Sequence, residues 1–579
     1  MSGLRMEWSA AGRWWRSFVL TASAIASSTA FAAAPTLTYV FPPGGQRGTT
    51  VTVKCHGKFD WPVSVSAAGV TAAPGKEAGQ LDITIPADVA TDRVWIRLHN
   101  AEGASAAAPF LIGSLKEANE QEPNNSPKKA QAISDAAVTI NGALEDAGVD
   151  GFAVDLQAGQ TLVAALDANT RLGTTMDGIL QLATGDGFVL AENHDEVGLD
   201  PRLVYTAPMS GTVIVRVFAF PSAPNSSIKF YGGDAIIYRL TLTTGPFISH
   251  TVPLSAPLSE PGEVEVFGWN IPPGTMLPVT PLLGEKDGGL AELDPQGESR
   301  LAPDVRLGFV FSPEYAGSPR IRLVPYASAS IVASDAAVHA LPVPGAVTGR
   351  LLKARQTDRY QLTLSKGQTL MVLAEGRELD FPVEPVLTLK DPVGGVAATV
   401  DEPSPKKGSI LNHTAAQDGV YELTIRDRYR TGSERSFYQL TARLDEPDFE
   451  LTMSDESLVV THDKPAELTV SVQRRGSGVG PITIQAVELP EGVTAAEVVS
   501  EAKGDKAAKV KFTFASTGVA FSGPVRIAGV AKEPQEIRRL ARTSSRAGAC
   551  FETLWLTVVA KPAEEKPADA PKAEATETK

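Results

Sequence analysis

From Pro35 onward apolar and polar residues alternate one by one over short runs, and glycine or proline interrupts each run. Phe152, Val154 and Leu156 fall on one side of their segment, with Ala153 and Asp155 on the other. After the turn Ala158-Gly159-Gln160, Leu162, Ala164 and Leu166 share a face. Val213, Val215 and Val217 alternate with Ile214, Arg216 and Phe218, and Tyr238, Leu240 and Leu242 with Arg239, Thr241 and Thr243. A period of two sends successive side chains to opposite faces of a strand, so these runs predict sheets with one buried face. Shorter β-branched runs at 49–53, 94–98, 263–267, 320–324, 468–472, 481–484 and 554–558 carry the pattern along the chain. The 42 prolines and 51 glycines are spread between them, which suits many short strands better than long helices.

The strand pattern recurs at long range. Asn141-Gly142-Ala143-Leu144 is echoed by Thr348-Gly349-Arg350-Leu351, and Asp150-Gly151-Phe152 by Asp358-Arg359-Tyr360. Gly159-Gln160-Thr161-Leu162 returns as Gly367-Gln368-Thr369-Leu370, and Tyr238-Arg239-Leu240-Thr241 as Tyr438-Gln439-Leu440-Thr441. Four anchors in one order, about 200 residues apart, indicate duplicated domains rather than a solenoid, whose repeats run to about 20–50 residues. A chain of 579 residues exceeds one core; at ~100–150 residues each, four or five domains are expected.

The expected class is all-β: tandem β-sandwich domains, immunoglobulin-like and jelly-roll, in a beads-on-a-string array. The expected division is a signal peptide at 1–34, then sandwiches at 35–113, 114–245, 246–342, 343–447 and 448–560, and a disordered tail at 561–579. The tail is rich in Lys, Pro, Ala and Glu and lacks large apolar residues. At the other end Arg5, Arg13 and Arg16 precede a short apolar stretch at 18–26, followed by the small-x-small patterns Ala30-Phe31-Ala32 and Ala32-Ala33-Ala34. That is the layout of a secretory signal peptide, the alternative being an uncleaved anchor. No later run is long and apolar enough to span a bilayer, so a soluble, secreted chain (periplasmic or extracellular, with the cell surface open) without a transmembrane segment after cleavage is expected.

A net charge of −14 without a long Lys/Arg run argues against nucleic acid as a partner. Cys55 and Cys550 are the only cysteines, so no zinc site of the usual spacing exists. A disulfide between them requires the end domains to meet; two unlinked thiols is the other reading.

The opening Pro42-Pro43-Gly44-Gly45-Gln46-Arg47-Gly48-Thr49-Thr50-Val51-Thr52-Val53 resembles the first strands of IPT/TIG immunoglobulin-like domains. The duplicated unit resembles the bacterial pre-peptidase C-terminal domain, a jelly-roll β-sandwich. The match is carried by Glu120-Gln121-Glu122-Pro123-Asn124-Asn125-Ser126, by Asp150-Gly151-Phe152 running into Ala158-Gly159-Gln160, and by Leu199-Asp200-Pro201-Arg202-Leu203 before Ala207-Pro208 and Gly211-Thr212. The whole arrangement, including Phe218-Ala219-Phe220-Pro221, looks like large secreted proteins common in planctomycete bacteria. In that family such domains accompany secreted peptidases without being the catalyst, and relatives bind calcium through the acidic linker. The resemblance therefore implies Ca2+ ligands at Glu120, Glu122, Asn124 and Asn125, with Asp146 and Asp150 completing the shell. Calcium takes six to eight hard oxygen ligands, which carboxylates and amide carbonyls supply. The alternative is a solvated acidic linker. The second copy has Ala336-Ala337-Val338-His339-Ala340-Leu341-Pro342 at this place and no acidic ladder, so a cation is expected in the first copy only.

Catalytic patterns are missing. There is no His-Glu-x-x-His and no Gly-x-Ser-x-Gly, and the seven histidines are scattered. His194-Asp195-Glu196 with Asp200 is the one polar cluster that suggests a ligand site, against a solvated loop. The expected function is a secreted, non-catalytic multi-domain binding protein for protein or polysaccharide at the cell surface. The alternatives are an accessory or targeting subunit of a secreted peptidase, a structural envelope protein, and an unrecognised hydrolase.

Overall fold

A computed structural model describes residues 33–145, 148–223, 226, 229–282, 305–331, 337–401, 408–476, 478–544 and 550–561. The expected signal peptide up to residue 32, the tail from 562 and Asp146 lie outside the described residues. The fold is a tandem series of all-β sandwiches; among the described residues the one α-helix is the single turn Asn169–Leu172.

In the first sandwich a four-stranded sheet holding Thr50–Lys58 faces a five-stranded sheet holding Arg93–Asn100. Between them lie Val40, Val53, Ile83, Ile96 and Phe110. The second sandwich has two five-stranded sheets. One runs in the order Lys116–Asn119, Ala137–Ala143, Ile237–Thr243, Thr161–Asp167, Arg202–Thr206; the other is centred on Gly211–Pro221, flanked by Asp150–Leu156 and Met176–Thr184. Phe152, Val154, Leu156, Leu162, Leu166, Val215 and Tyr238 meet in its core, as the alternation requires. Two further five-stranded sheets, built from strands between Ser328 and Leu444, repeat this strand order position by position. In the repeat Gly349 opposes Tyr438 as Gly142 opposes Tyr238. Between these two lies a six-stranded sheet, Phe247 to Val324, and the chain ends in an eleven-stranded sheet system, Asp448 to Val558.

The polar stretch before the first repeat is part of the fold. Lys116–Asn119 pairs in parallel with Ala137–Ala143, and Gln131–Ile133 with Asp150–Leu156. Ser328–Ser330 and Val338–Ala340 make the same two additions in the repeat. Its sheets therefore begin upstream of residue 343, where the sequence reading placed their start.

The sandwiches are tandem along the chain but are not spaced like beads on a string. Strand faces pointing away from one core are covered by a neighbour. Arg239, Asn141, Thr139 and Thr243 alternate outward from the second core, yet all are buried. Gly44 of the first sandwich lies so close that a Cβ there would sit 2.5 Å from Arg239 Nε. The fourth sandwich reaches the third through Arg322–Glu375 and the second through Arg435–Glu196. The two ends also meet: Arg97 pairs with Glu456 at 3.1 Å, and Trp95 and Phe551 form a T-shaped contact with centroids 5.1 Å apart. No disulfide joins Cys55 and Cys550, although their sandwiches touch; burial pushes the Cys55 thiol up to about 12.

Three sandwiches converge on one carboxylate. Asp92, with no exposed side-chain surface, accepts from Arg171 of the second at 2.7 Å and Arg320 of the third at 3.1 Å. Burial alone would raise its pKa; the guanidiniums of Arg320 and Arg171 more than offset this and hold the carboxyl far below its ordinary 3.8. Removing one member of a buried charge set leaves the others uncompensated. Asp92→Asn is therefore expected to destabilise the protein by ~3–5 kcal/mol in chemical denaturation at pH 7. A group whose folded pKa is depressed stabilises above its unfolded value and loses that effect as pH falls through the folded value. The gap between wild type and variant should accordingly narrow on acidification below pH 3.8; a gap independent of pH would show that charge is not what Asp92 contributes.

Candidate metal centre

Glu120, Glu122 and Asp150 come together at one edge of the second sandwich, with a carboxylate oxygen of each within 4.8 Å of the others. Strand pairing explains the convergence. Lys116–Asn119 runs parallel to Ala137–Ala143 up to Asn119 beside Asn141, and Glu120 N continues the ladder by donating to Asn141 O at 2.9 Å. Glu120 therefore arrives beside Gly142 and Ala143, and its Oε1 accepts from Ala143 N at 2.6 Å. Asp150 begins the facing strand and is buried. The turn between the two is tied down by Asn124, whose N–H donates to Glu122 Oε2 at 2.9 Å and whose carbonyl accepts from Gly151 N at 3.2 Å.

Tyr238 completes the arrangement. Its buried hydroxyl oxygen lies 2.6 Å from Asp150 Oδ2 and 2.9 Å from Glu120 Oε2. Gly142 makes room for it: a Cβ there would lie 2.3 Å from Tyr238 Cζ and 2.7 Å from Glu120 Oε2. One hydroxyl proton cannot serve two ionised carboxylates at once. Burial first, and then the Glu120 charge, raise the pKa of Asp150 strongly; burial likewise raises Glu120. The pair is at rest either with a shared proton or with a cation in its place.

The donor set suits a hard cation. All the clustered atoms are oxygens, and Asn124 adds an amide that is fully buried with neither Oδ1 nor Nδ2 hydrogen-bonded. Of the six residues expected from sequence, Glu120, Glu122 and Asp150 converge and Asn124 is buried beside them. Asn125 is exposed at the surface, and Asp146 lies outside the described residues. Tyr238 was legible as a core strand residue that recurs as Tyr438, but its contact with the carboxylates required the fold.

The fourth sandwich supplies an internal comparison. Ile331 N donates to Thr348 O as Glu120 N does to Asn141 O, so isoleucine stands where the first copy has a carboxylate. Tyr438 donates to Asp358, Gln356 Nε2 donates to Asp358 Oδ1 at 2.8 Å, and the Tyr360 hydroxyl, at the place of Phe152, lies 2.7 Å from that of Tyr438. Tyr438 and Gln356 donate to this aspartate, whereas two further carboxylates face Asp150.

The other polar cluster does not converge. His194 pairs with Glu192 at 2.7 Å and Glu196 with Arg435, while Asp200 accepts from the backbone N–H groups of Ala168, Asn169 and Thr170. Asp200 thus holds the first turn of Asn169–Leu172, with burial pushing it up to about 7.

No family model matches the chain. A probable subtilase-type serine protease of Deinococcus radiodurans is 32% identical over 125 residues, which is 21% of this chain and 16% of that protein. This chain therefore corresponds to only a small part of that relative. Among solved structures, the pre-peptidase C-terminal domain of a collagenase from Bacillus anthracis is 15% identical, with 18% of this chain and 94% of that one covered at a TM-score of 0.16. Fibronectin(III)-like modules of CbhA from Clostridium thermocellum are 9% identical over 34% of this chain and 95% of that one, at a TM-score of 0.13. Scores this low carry no argument. Among the described residues, no helix is long and apolar enough to cross a membrane.

Gly142→Ala is expected to force Tyr238 and Glu120 apart and to cost ~1–3 kcal/mol, the usual range for overpacking. Thermal melts of the variant beside Tyr238→Phe would check this. A melting temperature unchanged by Gly142→Ala would mean the close approach of Tyr238 to the strand is not needed.

Proposed function

We propose that this chain is a secreted, non-catalytic multi-domain binding protein whose second sandwich is locked by a calcium ion. The supporting observation is the oxygen cluster of Glu120, Glu122 and Asp150, two of which meet the Tyr238 hydroxyl, together with the buried, unpartnered amide of Asn124. These residues would hold the ion, and Asn125 and Asp146 remain candidates for the rest of the shell. The ion would supply charge neutralisation and no reaction step. Its effect would be to tie the polar stretch 116–124 onto the strands behind it, fixing the edge of the sandwich that faces the first. On this reading the sandwiches form a rigid support whose end loops meet a protein or polysaccharide at the cell surface. The fourth sandwich, of pre-peptidase C-terminal type like the second, keeps the scaffold without the cation.

A second reading, an accessory or targeting subunit for a secreted peptidase, is favoured by the 125-residue similarity to a protein named as a subtilase-type protease. Copurification of a peptidase with the native protein would decide for it.

The full chain should melt higher in calcium than in chelator, because a ligand of the folded state alone stabilises it, by about 2.7 kcal/mol at 100 times its dissociation constant. Glu120→Gln/Glu122→Gln should abolish that difference. The sign with pH follows from the raised carboxyl pKa values. Their stabilising contribution is complete below the ordinary carboxylate range and lost as pH rises through the raised values. Without calcium the protein should thus gain stability on acidification from neutral pH, and calcium uptake should release protons, read by calorimetry in buffers of different ionisation heat. An identical melt with and without calcium would sink the metal assignment.

A further inference from the structure

A cavity of about 460 Å³ opens where the first four sandwiches meet. Clefts of this size between domains are common ligand sites. Eight arginines and six carboxylates line it, and most of the arginines are matched. Arg171 and Arg320 hold Asp92, Arg435 holds Glu196, Arg239 holds Glu117 and Arg322 holds Glu375.

Arg47 and Arg202 form no direct salt bridge among the described residues, although Asp92 acts on Arg47, and Glu196, Asp167 and Asp380 act on Arg202, through space. Arg47 donates to the carbonyls of Val89 and Thr91 and lies over the ring of Phe311, 4.1 Å from its centroid. Arg202 donates to Ser249 Oγ at 3.0 Å and lies over Phe247 at 5.1 Å and Trp269 at 5.8 Å. Its Nε is buried without an acceptor, and so is Nε2 of His250, which lines the same cavity. The carboxylates near Arg202 leave this Nε donor unmet; a buried unmet donor is costly, and the planar fork of a guanidinium matches a carboxylate. The rest of the lining differs from that of a simple anion hole. Asp380, Ser249, Thr251 and Ser318 offer acceptors and hydroxyls beside the rings of Phe311 and Phe381.

We propose that this cavity binds a carboxylate-bearing sugar, a uronic acid unit, with its carboxylate on Arg202, Arg47 as the second positive charge, and its hydroxyls met by Asp380, Ser249 and Thr251. This gives the binding reading above a ligand class and rests on it, but it does not depend on calcium. Arg239 and Tyr238 are adjacent on one strand and point to opposite faces, so the cavity and the metal cluster lie on opposite sides of the same sheet.

Calorimetric titration of the full chain with glucuronate, glucose and inorganic phosphate tests the proposal, each in calcium and in chelator. Saturable binding of glucuronate at millimolar concentration is expected, with glucose and phosphate at least about tenfold weaker. Arg202→Gln should weaken glucuronate by about tenfold or more, with Arg202→Lys between the two. Should Arg202→Gln fail to fold, Arg47→Gln carries the same expectation. No saturable glucuronate binding, equal binding of glucose or phosphate, or unchanged affinity in the folded variants would overturn it. Glucuronate binding in chelator, with no response of the melt to calcium, would retain this site while removing the metal centre.

Discussion

Asp92 is a charge with no exposed side-chain surface, and it holds three sandwiches to one another. Its position follows from a constraint that runs through the molecule. A β-strand has two faces, and covering both with protein leaves no solvent for the polar one. Each outward-pointing charge must then find an opposite charge, most often on a neighbouring sandwich. Arg171 and Arg320 do this for Asp92, Glu456 for Arg97 and Glu375 for Arg322, while Arg239 finds Glu117 within its own sheet. Such pairs contribute less to raw stability than their Coulomb energy implies, because desolvation offsets it. What they fix is register: a sandwich rotated or shifted against its neighbour strands a buried ion.

The duplicated sandwich shows how one scaffold carries two electrostatic solutions. Both copies keep a fully buried tyrosine opposite a glycine, and an aspartate at the start of the facing strand. In the first copy the strand added ahead of the repeat delivers Glu120, and two carboxylates meet the tyrosine with the Glu122 carboxylate close to both. In the second it delivers Ile331, and Gln356 and Tyr438 donate to the aspartate, with the Tyr360 hydroxyl against that of Tyr438. The first arrangement favours a proton or a cation, whereas the second gives its aspartate the hydroxyl of Tyr438 and the amide of Gln356 as donors. An alkyl chain in place of the Glu120 carboxylate, together with Gln356 beside Asp358 and Tyr360 at the place of Phe152, separates the second site from the candidate metal centre.

Packing the sandwiches together also creates space that no single one contains. Convex ends do not fill the junction of four bodies, and arginines that neutralise one interface project into what is left. Arg47 and Arg202 stack on aromatic rings there and form no direct ion pair, which positions both guanidiniums at the cavity wall.

Strand location was legible in the residues themselves. Period-two alternation reports local burial, and Phe152-Val154-Leu156 or Tyr238-Leu240-Leu242 sit in their cores as that period demands. The duplication and the acidic run Glu120-x-Glu122 were equally plain, because repeats and clustered carboxylates are properties of the linear chain. The fate of the outward face was not. Nothing local to Arg97 points to Glu456, or to Arg239 that its alternation toward solvent ends in burial. Those outcomes depend on contacts between residues hundreds of positions apart, and alternation is the same whether the polar face meets water or another sandwich. Secondary structure, the repeat and the candidate carboxylates therefore belong to the sequence. The closed packing, the hydroxyl of Tyr238 between Glu120 and Asp150, and the arginine-lined cavity were decided by the tertiary structure, where long-range charge matching sets how the sandwiches meet.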